Sequence, residues 1–292
     1  MNIIFQIDGG LGKCIMATAL CEVFHKANPD AKIIVVSGYP DVFLNNPYVH
    51  RSFAFGQQAY FYEEFILNQE VKIYAHNPYV ETGHVQRTEH LFTTWAKMFG
   101  YEYNGEKPQL FLTNREIEFY SNKFSGSEKP ILTIQSNGGA PNQELKYSWA
   151  RDIPFSVVQK VINHFAKDYT ICHIRREDQP GFENTIPVSD NFRSMCVLLM
   201  LSKKRLLMDS FGQHAAASLG LPSVVCWIGN SPNVFGYDVH HNIVSNEWTK
   251  KPELRNAYLG LFNIAGDPLE IPYNNESEIF DAQIIIEALE NI

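Results

Sequence analysis

Residues 1–38, MNIIFQIDGGLGKCIMATALCEVFHKANPDAKIIVVSG, decide the fold. The apolar run NIIFQI (2–7) stops at Asp8, Gly9 and Gly10. Leu11 to Ala27 then carries apolar residues at helical spacing, and AKIIVVSG (31–38) supplies a β-branched run without polar alternation. A run of that kind marks a parallel strand covered on both faces. The opening is therefore strand, glycine turn, helix, strand, a βαβ unit.

Outward from this unit the alternation continues, with strands expected at 50–55 and 71–75 and helices at 88–99 and 114–124. SGSEKP (125–130) interrupts it with small and polar residues and a proline, and ILTIQS (131–136) begins a new strand at once. The spacing places a domain boundary there, giving an N-terminal domain over 1–126 and a C-terminal domain over 127–292. The second half repeats the rhythm: strand 131–136, helix 154–167, strand 169–174, helix 191–202, strand 205–208, helix 212–219, strand 223–228. A helix over 277–290 closes the chain, with either domain, the N-terminal one included, open to it as a packing surface. The expected class is α/β, with two Rossmann-like doubly wound domains facing a cleft.

Composition bounds the function. The 292 residues are 45% hydrophobic and 19% charged with a formal net charge of −8, which suits a folded chain and opposes a nucleic-acid surface. The five cysteines stand singly, without a CxxC pair, as in a reducing compartment. The first residues carry no basic and apolar leader pattern, and no run approaches the roughly 20 apolar residues of a membrane span. The expectation is a cytoplasmic protein with at most peripheral membrane contact.

The turn IDGGLGKC (7–14) fits neither nucleotide motif whose spacing it approaches. A Walker A loop requires GxxxxGK[ST], but Cys14 follows Gly12-Lys13 and Ile7 stands where the first glycine belongs; GxGxxG lacks its third glycine, since Ile15 occupies that place. What remains is a turn at the carboxyl end of a strand, where Gly9, Gly10 and Gly12 let a ligand approach backbone and helix amides, or a plain βα turn.

The stretch 191–232 is the most informative. RLLMD (205–209) ends in Asp209 where a parallel strand should stop, Ser210 to Gly212 make a turn, and Gln213 opens an Ala-rich helix. Open α/β sheets bind ligands at that edge, and the helix amino end attracts phosphate. Asp209 is suited to hold a hydroxyl, and Ser210, Gln213 or His214 to donate to phosphate oxygens; the plainer reading has Asp209 and Ser210 capping the helix and His214 packed inside. Arg175 and Arg176 in HIRRED (173–178) are either phosphate ligands or solvated loop charges, and AYFYEEF (59–65) is either a sugar platform, a partner groove or core.

Residues 191–232 resemble the donor-binding segment of glycosyltransferase family nine, the ADP-heptose lipopolysaccharide heptosyltransferases. The resemblance rests on Asp209-Ser210, His214, Ala215 to Ala217, Gly220-Leu221-Pro222 and the strand to Trp227; Phe211 stands where that family has glycine, with Gly212 one place later. QSNGGAPNQELKYSWARDIPFSVVQKVI (135–162) is similar to the family's first donor-domain strand and loop, and NNPYV (45–49) to its Asn-Pro-x-Val element. The resemblance implies the two-domain GT-B fold and hexosyl or heptosyl transfer from a nucleotide-diphosphate sugar to a glycan or lipid-linked saccharide. It implies donor contacts at Asn137, Gly138, Gly139, Lys146, Asp209, Ser210, Gly212, Gln213 and His214, with Gly9, Gly10 and Gly12 on the acceptor side.

The N-terminal segment resembles the same family but departs at Lys13, where the family carries an acidic residue regarded as the base that activates the acceptor hydroxyl. Three readings follow: Asp8 takes over as base, Lys13 binds an anionic acceptor or the leaving diphosphate, or transfer has been lost. Asp8 and Lys13 are the candidate catalytic residues. With no Asp-x-Asp pair to carry a cation, metal-independent transfer without cofactor is expected. An epimerase or hydrolase of the same fold and a non-catalytic sugar-nucleotide-binding protein are the alternatives; DNA-base glucosylation is opposed by the acidic balance.

Overall fold

The computed structural model describes residues 1–138, 151–246, 275 and 278–292. The chain divides into two compact units, Met1–Ile117 and Glu118–Ile292. The division falls within a helix, upstream of the Ser125–Pro130 turn.

In the first unit the order is β1 (Asn2–Ile7), α1 (Leu11–Ala27), β2 (Lys32–Ser37), β3 (Arg51–Ala54), α2 (Phe61–Phe65), β4 (Val71–Tyr74), α3 (Thr82–Val85), α4 (Leu91–Met98) and α5 (Asn114–Phe124), which continues into the second unit. The strands form one parallel sheet, β3-β2-β1-β4, in which Ile3 pairs with Ile33 and Phe5 with Val35. β1 and β2 are apolar on both faces because both faces are covered. α1 has the burial of a central element: Lys13 through Cys21, Val23 and Phe24 are all buried. Phe5 meets Phe24 and Trp95 edge to face at 5.1 and 5.5 Å, so the aromatic core lies against α1 and α4.

In the second unit β5 (Ile131–Ile134), α6 (Phe155–Phe165), β6 (Thr170–Ile174), β7 (Ile186–Val188), α7 (Phe192–Leu201), β8 (Ser202–Met208), α8 (Phe211–Ser218), β9 (Val224–Trp227), α9 (Pro232–Phe235) and β10 (His241–Val244) precede a last helix, Ala282–Glu290. All six strands are parallel, in the order β10-β9-β8-β5-β6-β7. The last helix packs on α6 and the edge of β8 and β9 within this unit, where Ile285 and Leu289 join the core. It starts at Ala282, where the Asp281 side chain accepts the Gln283 N–H at 2.9 Å; residue 277, the expected start, lies outside the described residues. Its carboxyl end is fixed by Lys204, whose ammonium donates to the carbonyls of Leu289, Glu290 and Ile292.

The sequence pattern did not single out β7 and β10. Each is a short edge strand, one with Pro187 inside it and the other opening on His241 and Asn242. AYFYEEF is helical over its second half and only Phe65 is buried, against Phe53, while Tyr60 and Tyr62 are exposed. Among the described residues no helix is long and apolar enough to cross a membrane.

Candidate functional site

Each sheet ends, at its carboxyl edge, in a small-residue turn that leads into a helix. In the first unit β1 runs into the exposed Asp8–Gly10 turn and α1. Gly9 takes φ +111°, a region L side chains rarely enter, and a Cβ there would lie 3.1 Å from Lys13 Cδ. Gly10 is the α1 N-cap with ordinary extended angles, and Gly12 lies in the first turn of the helix, so Gly9 is the position of this turn whose backbone demands glycine. Among the described residues no side-chain hydrogen bond caps α1, from Asp8 or from any other residue.

Lys13 is only 7% exposed. Its Nζ donates at 2.9 Å to Asn77 Oδ1, which also accepts the Tyr79 N–H at 3.1 Å. The ammonium lies 4.8 Å from the Tyr79 ring centre and 5.5 Å from that of Trp95. Burial lowers its pKa to about 8, with Asp8 and Cys14 opposing the shift. His84 stacks on Tyr79 at 4.8 Å, and burial together with Arg87 and Lys13 lowers its pKa to about 4, so it is neutral at pH 7.

In the second unit β5 and β8 end side by side. The β5 exit continues as Gln135, Ser136, Asn137 and Gly138; the β8 exit as Asp209 and Ser210 before α8. Gln135 reaches across: its Oε1 accepts the Gly212 N–H at 3.0 Å, and its Nε2 donates to Ser210 Oγ at 3.2 Å. A Cβ at Gly212 would sit 2.3 Å from Gln135 Oε1, which gives a physical reason for glycine there. Ser210 is the N-cap residue but its hydroxyl makes no capping bond, so the capping reading of Ser210 is replaced by a cap from Gln135.

Asp209 is half-buried and accepts from the Asn230 amide at the end of β9. Burial raises its pKa, against the nearby Arg151 charge and the Asn230 hydrogen bond. The Arg151 guanidinium lies across Gly138, where a Cβ would come within 3.0 Å of it. The Gly138 carbonyl accepts from Gln179 Nε2 at 2.8 Å and from Arg176 Nη1 at 3.5 Å, while its N–H donates to Asp152 at 3.0 Å. Gly138, Arg151, Asp209, Ser210 and Gly212 thus gather where open parallel sheets take ligands.

Three expected donor contacts face the interior instead. Gln213 is fully buried, its amide donating to the Phe235 carbonyl at 3.1 Å. His214 is 5% exposed, with Nδ1 2.7 Å from the Tyr237 hydroxyl. Asn137 is 5% exposed; its oxygen accepts from Ser136 and its amide donates to Asp152 at 3.2 Å. The hydrogen bonds named for these groups are made inside the unit, although the Gln213 Oε1 finds no partner among the described residues. Gly139 and Lys146 lie outside the described residues. Arg175 folds onto the carbonyls of Arg176, Glu177 and Gln179, and Arg176 pairs with Asp178, so both shape the loop after β6.

Sequence reasoning missed Gln135, Arg151, Asp152 and Asn230, and in the first unit Asn77, Tyr79 and Trp95. Only Gln135 and Asn230 carry a readable signal, a polar residue closely following a buried parallel strand. Two cavities of the second unit lie elsewhere, one of about 590 Å³ beside Val157 and Phe280 and one of about 720 Å³ at the amino-terminal edge of β5, β6 and β7. The converging polar groups, rather than cavity size, therefore mark the site.

The fold so defined is that of two-domain α/β glycosyltransferases. The chain superposes on the glycosyl transferase family 9 structure from Veillonella parvula with a TM-score of 0.69 at 15% identity, covering 99% of this chain and 96% of that one. It matches E. coli ADP-heptose lps heptosyltransferase II with a TM-score of 0.63 at 14% identity, over 83% of this chain and 90% of that one. E. coli heptosyltransferase WaaC, solved with ADP, gives 0.55 at 10% identity, over 84% and 93%. No protein family and no curated protein matches by sequence.

Proposed function

We propose that this chain is a glycosyltransferase that moves a hexosyl or heptosyl group from a nucleotide-diphosphate sugar, held by the second unit, to a saccharide acceptor held by the first. The observation that carries the reading is the meeting of Arg151, Gly138, Asp209 and the α8 amino end at one sheet edge. A guanidinium lying on a glycine, beside a helix start, is suited to a diphosphate. The nucleotide-sugar donors of the similar folds support the same assignment.

In the transfer the bond from the anomeric carbon to the diphosphate oxygen breaks, and its electron pair stays on the diphosphate. Arg151 and the α8 dipole stabilise that charge, so transfer needs neither metal nor cofactor. The acceptor oxygen bonds to the anomeric carbon and yields its proton to the exposed Asp8 carboxylate. Water is the competing acceptor that the enzyme must exclude. The enzyme works in the cytoplasm.

Calorimetric titration with ADP-, GDP- and UDP-sugars tests the donor site. One of them binds, and Arg151→Met weakens it about 10- to 100-fold, the loss of a charge-assisted contact of about 1.5–3 kcal/mol. No binding by any of them overturns the reading. Product analysis with and without acceptor, in EDTA, separates transfer from epimerisation, hydrolysis and metal dependence.

A further inference from the structure

The chain leaves β5 through Ser136, Asn137 and Gly138 and comes back to the same place at Arg151, Asp152 and Ile153. Hydrogen bonds join the two ends. The Ile153 N–H donates to the Ser136 carbonyl at 2.9 Å. The Asp152 carboxylate takes one donor on each oxygen, the Gly138 N–H on Oδ1 at 3.0 Å and the Asn137 amide on Oδ2 at 3.2 Å. Asp152 is 1% exposed, and burying a carboxylate is costly unless its oxygens are engaged in this way. Asparagine has one acceptor oxygen and a donor in place of the other, so acceptance on both sides calls for the acid.

The Gly138 carbonyl is held as well. It accepts from Gln179 Nε2 at 2.8 Å, and Gln179 is itself 5% exposed, with its Oε1 accepting the Arg176 N–H at 2.9 Å. With its N–H and its carbonyl both engaged, Gly138 is pinned, and the half-buried Arg151 guanidinium lies against it, 3.0 Å from where a Cβ would stand. The buried acid and this cation are neighbours in sequence, so fixing Asp152 also fixes the backbone from which Arg151 departs.

We propose that Asp152 and Gln179 are positioning residues of the donor site: they pin Gly138 as the seat of Arg151 and so set that guanidinium where it meets the diphosphate. Naming the anion a diphosphate rests on the glycosyltransferase reading. In this role neither residue touches the ligand, and each acts through Arg151. The sign of the effect separates positioning from two simpler roles. A buried negative charge beside an anion site repels the anion, so an Asp152 that acted only by its charge would give tighter binding once changed to asparagine. An Asp152 that only held the fold together would lower the melting temperature and leave the affinity of the folded protein unchanged. Positioning predicts weaker binding.

Calorimetric titration of the full chain with inorganic pyrophosphate, ADP, GDP and UDP, at a temperature where each variant is folded, tests the proposal. The tightest-binding of the four is carried through the variants. Asp152→Asn weakens it about five- to tenfold, and Gln179→Ala weakens it in the same direction. In an Arg151→Met background neither change weakens it further, because the group they act through is gone. Unchanged or tighter binding by Asp152→Asn, or the same loss with and without Arg151, overturns the proposal and leaves the donor reading in place. Where Asp152→Asn does not fold, unchanged binding by Gln179→Ala overturns it in the same way. A wild-type chain that binds none of the four ligands overturns both.

Discussion

The two units solve the same local problem in opposite ways. Each has a parallel strand running into a glycine turn and a helix, and each must deal with the amino end of that helix. At α1 no side chain among the described residues caps the helix, and a cation is drawn into the protein beside it. At α8 the carboxamide of Gln135 fills the first turn, and the nearest charges, Arg151 and Asp209, act on each other. In the first the ammonium rests on one amide oxygen and two aromatic rings, with the Asp8 charge acting on it from the turn; in the second the helix end is held by hydrogen bonds from Gln135. Ligand binding at the α8 end should therefore compete with an internal hydrogen bond, whereas no such bond stands at the start of α1 among the described residues.

The comparison breaks most visibly at Gly212. In Gly212→Ala the new Cβ occupies the place of Gln135 Oε1 and meets Leu207 at 3.3 Å, so the carboxamide must leave two hydrogen bonds inside a buried site. We expect about 2–3 kcal/mol of lost stability and loss of nucleotide binding together, seen as a lower urea midpoint and flat calorimetric titrations. A stable variant that binds normally would show that α8 needs no cap from β5.

Lys13→Met should have the opposite sign. The folded pKa of about 8 lies below the unfolded value of 10.5, so the unfolded chain binds the proton more tightly. That penalty is complete below pH 8 and disappears as pH rises from 8 to 10.5. After allowance for solvent near the amine and the lost Asn77 bond, Lys13→Met is about 1–2 kcal/mol more stable than wild type at pH 7, with little difference at pH 10.5. Urea unfolding at the two pH values measures it.

Gly9→Ala sharpens the same contrast from the backbone side. Its φ of +111° is strained for alanine, and the Cβ presses on the Lys13 stem. A loss of about 1–2 kcal/mol is expected by thermal melting. Gly10→Ala, with nothing within 4 Å of the new Cβ and ordinary angles, serves as the neutral control.

The sheets were legible in the sequence because unalternated apolar runs such as NIIFQI and KIIVVS have no other stable use than strands buried on both faces. The sites were legible only as edges. That a ligand belongs near Asp209 follows from where β8 stops, but the direction taken by Gln213 and His214 does not. On α8 the run from Gly212 to Ala216 is buried all round, so periodicity cannot separate a ligand face from a core face. Their partners Phe235, Tyr237 and His240 come from beyond β9, and Lys13 finds Asn77 64 residues along the chain. Arg151 has no motif spacing at all; it is defined by Gly138 and Asp209 only once the strands are paired.

The smallest effect decides who caps α8. Sequence preference favours Ser210, since serine at an N-cap contributes about 1 kcal/mol through a bond to a helix amide. The structure gives that bond to Gln135 and leaves the Ser210 hydroxyl accepting from the Gln135 amide at 3.2 Å. Ser210→Ala therefore removes one acceptor of a flexible carboxamide and no cap, and should shift stability by only about 0.3–0.5 kcal/mol, whereas Gln135→Ala should lose about 1 kcal/mol. Inorganic pyrophosphate adds a second reading to the pair. If an anion takes the carboxamide's place at the Gly212 amide, pyrophosphate raises the melting temperature of Gln135→Ala more than that of wild type, while Ser210→Ala responds as wild type does. Equal responses in all three would place the anion on Arg151 alone, with Gln135 kept at the helix end in both the free and the bound protein.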